Sequence, residues 1–141
     1  MTPLQFAVEI AETPEAHARG LMDRTSSTGM MFLFGAPTTT SFWNKRTLLP
    51  LDLFYIDAQG RVVTRHAMRS IYESYGVPVQ YLTGAPYVAA LELPRGRVPA
   101  NVQRIFLGPR EKTETFASLS ASPSPYTGRS LKLRRGIVTV L

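Results

Sequence analysis

The sequence predicts a mainly β protein: an antiparallel β-sandwich or jelly-roll-like domain with one short N-terminal helix and an extended C-terminal arm. Short apolar or alternating runs recur along the chain, and glycine or proline separates them. Only one stretch carries the start and stop signals of a helix. Because strands at this spacing are typical of a sandwich, we expect the domain in residues 1–109 and the arm in residues 110–141.

The N-terminal segment predicts one strand and the helix. Residues 4–10 alternate apolar and polar side chains, as a strand with one buried face does. Thr13 can cap the following helix, Pro14 occupies a first-turn position where its missing N–H is not needed, and Gly20 is placed to end it. We interpret His17, in the middle of this helix, as a solvent-exposed residue without a chemical role.

The centre of the chain predicts a hairpin. Leu51–Ile56 is apolar except at Asp52, which is the pattern of a strand buried on both faces. Asp57-Ala58-Gln59-Gly60 supplies a turn, so the chain should fold back into an antiparallel partner at Arg61–His66. Trp43 is the single tryptophan and should be mostly buried against the same core.

Further apolar or β-branched runs predict the remaining strands of the domain. They are Met30–Phe34, Thr38–Trp43, Val77–Leu82, Tyr87–Leu93 and Val102–Leu107. Gly35-Ala36-Pro37 should end the first of these runs.

A series of short motifs lies in a fixed order between residues 20 and 60. They are Gly20-Leu21-Met22 with Arg24, Gly29-Met30-Met31-Phe32, Phe42-Trp43 with Lys45 and Thr47, Pro50-Leu51-Asp52, and Asp57 with Gly60. In these motifs the chain resembles the domain-of-unknown-function family numbered 192, over about residues 4–96. The resemblance implies a small β-rich, jelly-roll-like fold and no established biochemical activity. The family usually has Met and Asn on either side of the lysine, where this chain has Asn44 and Arg46.

Composition excludes several classes of function. The absence of cysteine excludes disulfides, thiolate catalysis and cysteine-ligated zinc, and two histidines are too few for a histidine-rich metal site. We therefore expect no metal and no cofactor. No apolar run approaches the roughly 18 residues of a transmembrane helix, and the N terminus lacks a signal-peptide pattern. We expect a soluble intracellular protein without membrane contact, or a virion component if a phage encodes it.

The net charge of +6 is unevenly distributed. Residues 1–94 hold seven Lys or Arg against eight Asp or Glu, whereas residues 95–141 hold nine against two. This asymmetry predicts a basic arm that contacts other protein chains in a homo- or hetero-oligomer or, without sequence specificity, nucleic acid. The candidate partner-binding residues are Arg129, Lys132, Arg134, Arg135, Ile137, Val138 and Val140.

The arm ends in a strand-forming run, Ile137–Leu141, behind a segment rich in serine and proline. A strand at the end of such a flexible linker should pair with an open sheet edge, either in its own domain or in a neighbouring chain. Because the charge changes and the family resemblance ends before this segment, we expect the edge to belong to a neighbouring chain.

A second candidate site consists of Trp43, Lys45 and Asp52. A carboxylate among apolar neighbours is expensive to bury unless a cation or several N–H donors compensate. Lys45, Arg46 or Arg24 could pair with Asp52, so this region could bind a small polar ligand. The simpler interpretation is that Asp52 braces the turn that begins at Lys45.

Catalysis has less support, and we predict no catalytic residue. Ser41, His66 and Asp52 are the right residue types for a hydrolytic triad, but no nucleophile elbow or phosphate-binding glycine loop accompanies them. We therefore expect first a non-enzymatic structural or interaction subunit that assembles through its arm into a larger particle, for example as a virion cement, decoration or connector protein. The alternative is a small-ligand-binding module, with or without catalysis, that uses the Trp43, Lys45 and Asp52 region.

Overall fold

The computed structural model describes residues 3–109, 112–114, 116 and 133–141. In chain order its elements are β1 (Leu4–Ala11), α1 (Pro14–Arg19), β2 (Met30–Thr38), β3 (Phe42–Trp43), β4 (Leu51–Ile56), β5 (Val62–Met68), β6 (Gln80–Tyr81), β7 (Tyr87–Pro94), β8 (Ile105–Leu107) and β9 (Arg134–Val140). The prediction of a mainly β protein with one short N-terminal helix is confirmed for these residues.

Seven of the strands form one sheet in the order β5-β4-β7-β2-β1-β9-β8, and β3 pairs with β6 in a two-stranded ribbon. The sheet is curled, because the turn between β4 and β5 meets the chain at the start of β8. There the N–H of Val62 donates to the carbonyl of Gln103 at 2.9 Å, and the N–H of Ile105 donates to the carbonyl of Gly60 at 2.8 Å.

The prediction of a wholly antiparallel sheet is wrong, because β1 and β2 run parallel with Glu9 opposite Met30. Parallel neighbours need a crossover of about a dozen residues or more. The segment between Ala11 and Met30, which contains α1, is that crossover. A sandwich or jelly-roll-like arrangement is not confirmed, since the described strands form one curled sheet and a ribbon.

Each face of the curled sheet carries an apolar core, because β4 and β7 are buried along their whole central length. The inner core lies inside the curl and includes Val8, Ile10, Phe54, Ile56, Leu91, Ile105, Val138 and Val140. The outer core lies beneath α1 and β3 and includes Ala16, Leu21, Met30, Phe32, Leu53, Tyr55 and Tyr87.

The C-terminal strand is part of this sheet. β9 pairs antiparallel with β1, from Leu4 opposite Val140 to Ile10 opposite Arg134, and with β8 on its other edge. The prediction that Ile137–Leu141 adds to the sheet of another chain is therefore wrong. The reason is that β1 offers an unpaired edge with a matching alternation of buried and exposed positions.

Charge pairs support the same register between β1 and β9. The guanidinium of Arg134 binds the carboxylate of Glu12 through two bonds, Nε to Oε2 at 3.0 Å and Nη2 to Oε1 at 2.9 Å. Arg135 lies directly opposite Glu9. Opposite charges across a strand pair stabilise it, so part of the basic excess of the C-terminal segment is compensated within the domain.

Local predictions are confirmed where they depend on neighbouring residues. α1 begins after Thr13, whose Oγ1 accepts the N–H of Ala16 at 3.1 Å, and it ends at Gly20 with φ 50°. β4 and β5 form the predicted antiparallel hairpin. In its turn Asp57 Oδ1 accepts the N–H groups of Gln59 and Arg61, each at 2.9 Å.

Some strand limits differ from the prediction. β2 continues to Thr38 instead of ending at Phe34, because an irregularity in its pairing with β7 takes up the residues between Leu33 and Thr38. The predicted strand Thr38–Trp43 is reduced to the two residues of β3. Within the described residues, no helix is long and apolar enough to cross a membrane.

Candidate functional site

A pocket of about 260 Å³ opens on the outer face of the sheet, between α1 and β3. Its walls come from the end of α1 with the loop that follows it, from β2 and β3, and from β7. The apolar wall consists mainly of Leu21, Met22, Phe32, Phe34, Phe42, Trp43 and Tyr87. The polar side chains that face it are His17, Arg19, Thr40, Ser41, Thr47 and Glu92.

Two buried tyrosines fix the wall formed by residues 40–43. The hydroxyl of Tyr55 accepts the N–H of Phe42 at 2.9 Å and donates to the carbonyl of Tyr81, while the hydroxyl of Tyr87 donates to the carbonyl of Thr40. Burial raises the pKa of Tyr55 to about 12, so this hydroxyl stays protonated and can donate. Because β3 has only two residues, these hydroxyl groups hold it where a longer strand would use backbone pairs.

The aromatic rings of the pocket form a packed cluster. The centroids of Phe42 and Phe32 lie 4.8 Å apart and those of Phe34 and Tyr87 lie 5.3 Å apart, both with edge-to-face geometry. Edge-to-face pairs of this kind stabilise one arrangement of the rings. The apolar end of the pocket is therefore formed before any ligand arrives.

His17 belongs to this wall, so the interpretation of it as a simple solvent-exposed residue is wrong. Its ring is half-buried and lies 4.3 Å from the ring of Phe34, centroid to centroid. Its Nε2 lies 3.0 Å from the carbonyl of Ala11, which assigns the proton of the neutral ring to this nitrogen. Burial lowers the pKa of His17 below its ordinary value, so the ring is predominantly neutral at pH 7.

Glu92 is the chemically distinctive residue of the pocket. It lies on the central strand β7, opposite Leu53 on one side and Met30 on the other, and only 4% of it is exposed. No residue that the structure describes donates a hydrogen bond to its carboxyl group or forms an ion pair with it. Burial raises the pKa of Glu92 to about 8, so at pH 7 the carboxyl group is mostly protonated.

Glu92 was not predicted from the sequence, although a signal for it exists. It is the single charged residue in the otherwise apolar run Tyr87–Leu93. The rule that singles out Asp52 in Leu51–Ile56 applies to it equally, because an isolated carboxylate in a buried strand needs compensation.

The structure does not bring the predicted ligand-binding residues together. Trp43 lines the pocket but is 44% exposed, so the prediction that it is mostly buried is wrong. Lys45 is exposed, with its Nζ 5.1 Å from the centroid of the Trp43 ring. Asp52 lies on the opposite face of the sheet, because it alternates with the outer-core residues Leu51 and Leu53.

Asp52 is buried, as predicted, but its partners are not those predicted. Its Oδ2 accepts the N–H of Gly96 at 3.0 Å and lies 3.5 Å from Nη2 of Arg65. The same guanidinium group donates to the carbonyls of Val98 and Pro99. Asp52 therefore fixes the chain after β7 to the inner face of the hairpin and does not brace the turn at Lys45.

Replacing Asp52 with Ala should lower the free energy of unfolding by about 1–3 kcal/mol, because the Gly96 N–H and the Arg65 guanidinium would lose a buried acceptor. Urea unfolding followed by circular dichroism measures this change. Binding to the outer-face pocket should be unaffected, since Asp52 lies on the other face. An unchanged unfolding midpoint would show that these contacts contribute nothing.

The model of the domain-of-unknown-function family DUF192, an uncharacterized ACR, matches residues 1–103. This match covers well over half of the chain. The chain belongs to DUF192.

Two solved structures resemble this DUF192 chain. A protein of unknown function from Novosphingobium aromaticivorans is 28% identical, with a TM-score of 0.54 over 67% of this chain and 74% of that one. A putative transcription regulator from Sinorhizobium meliloti is 25% identical, with a TM-score of 0.53 over 68% of this chain and 84% of that one. No curated protein matches the chain.

Asn44, which follows the pocket residue Trp43, has a visible structural role. Asn44 is fully buried, and its Nδ2 donates to the carbonyl of Arg69 at 3.0 Å and to Oγ of Ser74 at 2.9 Å. Its Oδ1 accepts the N–H of Val79 at 2.7 Å. Asn44 therefore fixes the loop between β5 and β6 beside the pocket residue Trp43.

The predicted partner-binding residues of this DUF192 chain differ in burial and in the contacts that they make. Arg129 and Lys132 lie outside the described residues. Val138 and Val140 are buried in the inner core, and Arg134 binds Glu12. Ile137 is 41% exposed, and Arg135 is exposed with its Nη2 3.4 Å from Oγ1 of Thr28.

Proposed function

We propose that this protein is a small-ligand-binding module whose site is the outer-face pocket with Glu92 in its wall. The observation that carries the proposal is a carboxyl group that is nearly fully buried, faces an open pocket and has no partner among the described residues. A ligand group that pairs with Glu92 would satisfy it.

A carboxyl group enclosed in the wall of a cleft is costly to ionise. Burial removes most of the water that would stabilise the carboxylate, so the ionised form of Glu92 is penalised unless a cation or hydrogen-bond donors compensate. Residues whose pKa is strongly shifted by burial inside a cleft are candidates for function for this reason. Glu92 meets both conditions, since its pKa is raised to about 8 and it faces the pocket.

The shape of the pocket supports a small amphipathic ligand. Tyr87 and Glu92 of β7 both line the pocket together with Phe42, so the pocket combines an aromatic wall with one enclosed carboxyl group. A volume of about 260 Å³ lies just below the roughly 300–1,000 Å³ of pockets for drug-sized molecules. We therefore expect a compact molecule with an apolar body and one polar end.

An assembly function through the C-terminal arm is the second candidate, and it has less support. Its main argument was a free terminal strand, but β9 pairs within its own sheet. Contacts of Arg129 and Lys132 with other chains or with nucleic acid, including assembly into a virion, remain a proposal that requires its own test. A sandwich or jelly-roll-like closure of the fold is likewise a proposal.

A fragment screen tests the ligand-binding proposal. We expect at least one small amphipathic compound to change the fluorescence of Trp43, the single tryptophan, and to shift NMR signals of residues around the pocket. Ala18→Phe should weaken this binding at least tenfold, because Ala18 is exposed at the pocket and a ring there would block it.

Ala7→Phe is the matched control, since Ala7 is exposed on β1 and does not line the pocket. It should bind as the unmodified protein does. The proposal fails if no compound of a chemically diverse panel binds, or if every bound compound binds Ala18→Phe equally well.

A further inference from the structure

The charged groups that face the pocket define which ligand chemistry it can accept. The titratable residues that line it are His17 and Arg19 of α1 and Tyr87 and Glu92 of β7. Tyr55 of β4 does not line the pocket but packs against the ring of Tyr87. The tyrosine hydroxyl groups are already bonded to the backbone of residues 40–42 and 81. Arg19 is exposed at the end of α1, whereas Glu92 is enclosed.

We propose that the polar end of the ligand is a protonated primary amine that pairs with the carboxylate of Glu92, while its apolar body packs against the aromatic rings of Phe34, Phe42 and Tyr87. This inference rests on the proposed function, because it names the ligand class of the same pocket.

A cation fits this pocket better than an anion or a neutral group. The faces of aromatic rings carry negative charge density and attract cations. Glu92 is the enclosed group that can become charged, and its charge would be negative. An anion would be repelled by the ionised form of Glu92 and by the ring faces, and Arg19 offers it a compensating charge only at the exposed rim of the pocket.

A primary amine fits better than a quaternary one because Glu92 lacks hydrogen bonds. A carboxylate can accept about four, and none is donated by a residue that the structure describes. A primary ammonium group offers three N–H donors. A quaternary ammonium group offers none and would leave the carboxylate unsatisfied.

Binding of an amine must release a proton. In the free protein the Glu92 carboxyl group is mostly protonated at pH 7, since its pKa is about 8. A protonated amine pairs with the ionised form, so the carboxyl proton passes to the buffer. His17 does not reverse this effect, because burial keeps it predominantly neutral between pH 7 and 8.

The affinity for an amine should therefore rise about fivefold from pH 7 to pH 8. This factor is the increase in the ionised fraction of a carboxyl group with a pKa near 8.

Three probes with the same aromatic body separate the possibilities: 2-phenylethylamine, 2-phenylethanol and 3-phenylpropanoate. Titration of the full chain, followed by Trp43 fluorescence and by calorimetry in two buffers of different ionisation enthalpy, gives both affinity and proton release. At pH 8 we expect the amine to bind at least tenfold more tightly than the alcohol, and the carboxylate to bind more weakly than both.

Two variants connect this preference to Glu92. Glu92→Gln should reduce the difference between amine and alcohol to less than about twofold and abolish proton release. Glu15→Gln changes an exposed carboxylate of the same region and should leave both unchanged. Circular dichroism confirms that each variant is folded.

The outcomes distinguish the two proposals. If the alcohol or the carboxylate binds as tightly as the amine, or if Glu92→Gln keeps the preference, the amine inference is wrong while the pocket remains a ligand site. If no probe binds the unmodified protein, the amine inference is wrong. If the fragment screen is also negative, the ligand-binding function fails with it.

Discussion

Replacing Val138 with Asp should unfold the protein, whereas replacing its neighbour Ile137 with Asp should leave it folded. Val138 is fully buried in the inner core, where it lies opposite Phe6 of β1 and Leu107 of β8. An unpaired carboxylate at that position costs several kcal/mol, which is a large part of the roughly 5–15 kcal/mol that holds a domain together. Ile137 is 41% exposed, and Asp there should cost about 1 kcal/mol through lost strand propensity.

Urea unfolding and size-exclusion chromatography measure this pair of variants. The matched control is built into the design, because both substitutions are the same and lie on adjacent residues of one strand. A folded monomer with Asp at residue 138 would contradict the placement of β9 in the sheet. It would also restore the interpretation of the C-terminal segment as an arm that is separate from the domain.

Glu92→Gln should make the protein more stable at pH 8 and leave its stability nearly unchanged at pH 5. The folded-state pKa of Glu92 is raised from an ordinary value of 4.5 to about 8. Between these values the folded protein keeps a proton that the unfolded chain has lost, so the stability of the unmodified protein falls as the pH rises. Linkage gives a loss of about 3 kcal/mol between pH 5 and pH 8. Glutamine has no proton to lose and removes this dependence.

Thermal and urea unfolding of both proteins at pH 5, 6, 7 and 8 provide the test. Other titrating groups such as His17 contribute to both proteins alike, so the difference between the two curves isolates Glu92. If the two curves run parallel, Glu92 is ionised at ordinary cost in the folded protein. The burial argument for the pocket would then lose its support.

Several features of the molecule could be predicted because they depend on residues close together in the chain. The cap of α1 requires only Thr13 and the turn that follows it, and the β4–β5 hairpin requires only two apolar runs with Asp57 and Gly60 between them. The motifs between residues 20 and 60 were sufficient to predict the family. In each case hydrogen bonds or packing between near neighbours decide the outcome.

The pairing of β9, in contrast, could not be predicted from residues close to it in the chain. The Ser/Pro-rich segment and the basic excess predicted an arm, but neither property specifies which sheet edge a strand will find. A partial signal was present in the charges, since Arg134 binds Glu12 and Arg135 lies opposite Glu9 in the strand register. It becomes visible only when β1 is known to have a free edge.

The sequence by itself determined the β-rich class, the helix, the central hairpin and the family. The tertiary structure alone decided the parallel pairing of β1 and β2, the closure of the sheet by β9, and the separation of Trp43 from Asp52 by the thickness of the sheet. It also placed Glu92 in an aromatic pocket whose other walls come from α1, β2 and β3. The physical reason is that pairing between distant strands depends on which faces and edges remain to be covered once all strands are assembled, and no local pattern contains that information.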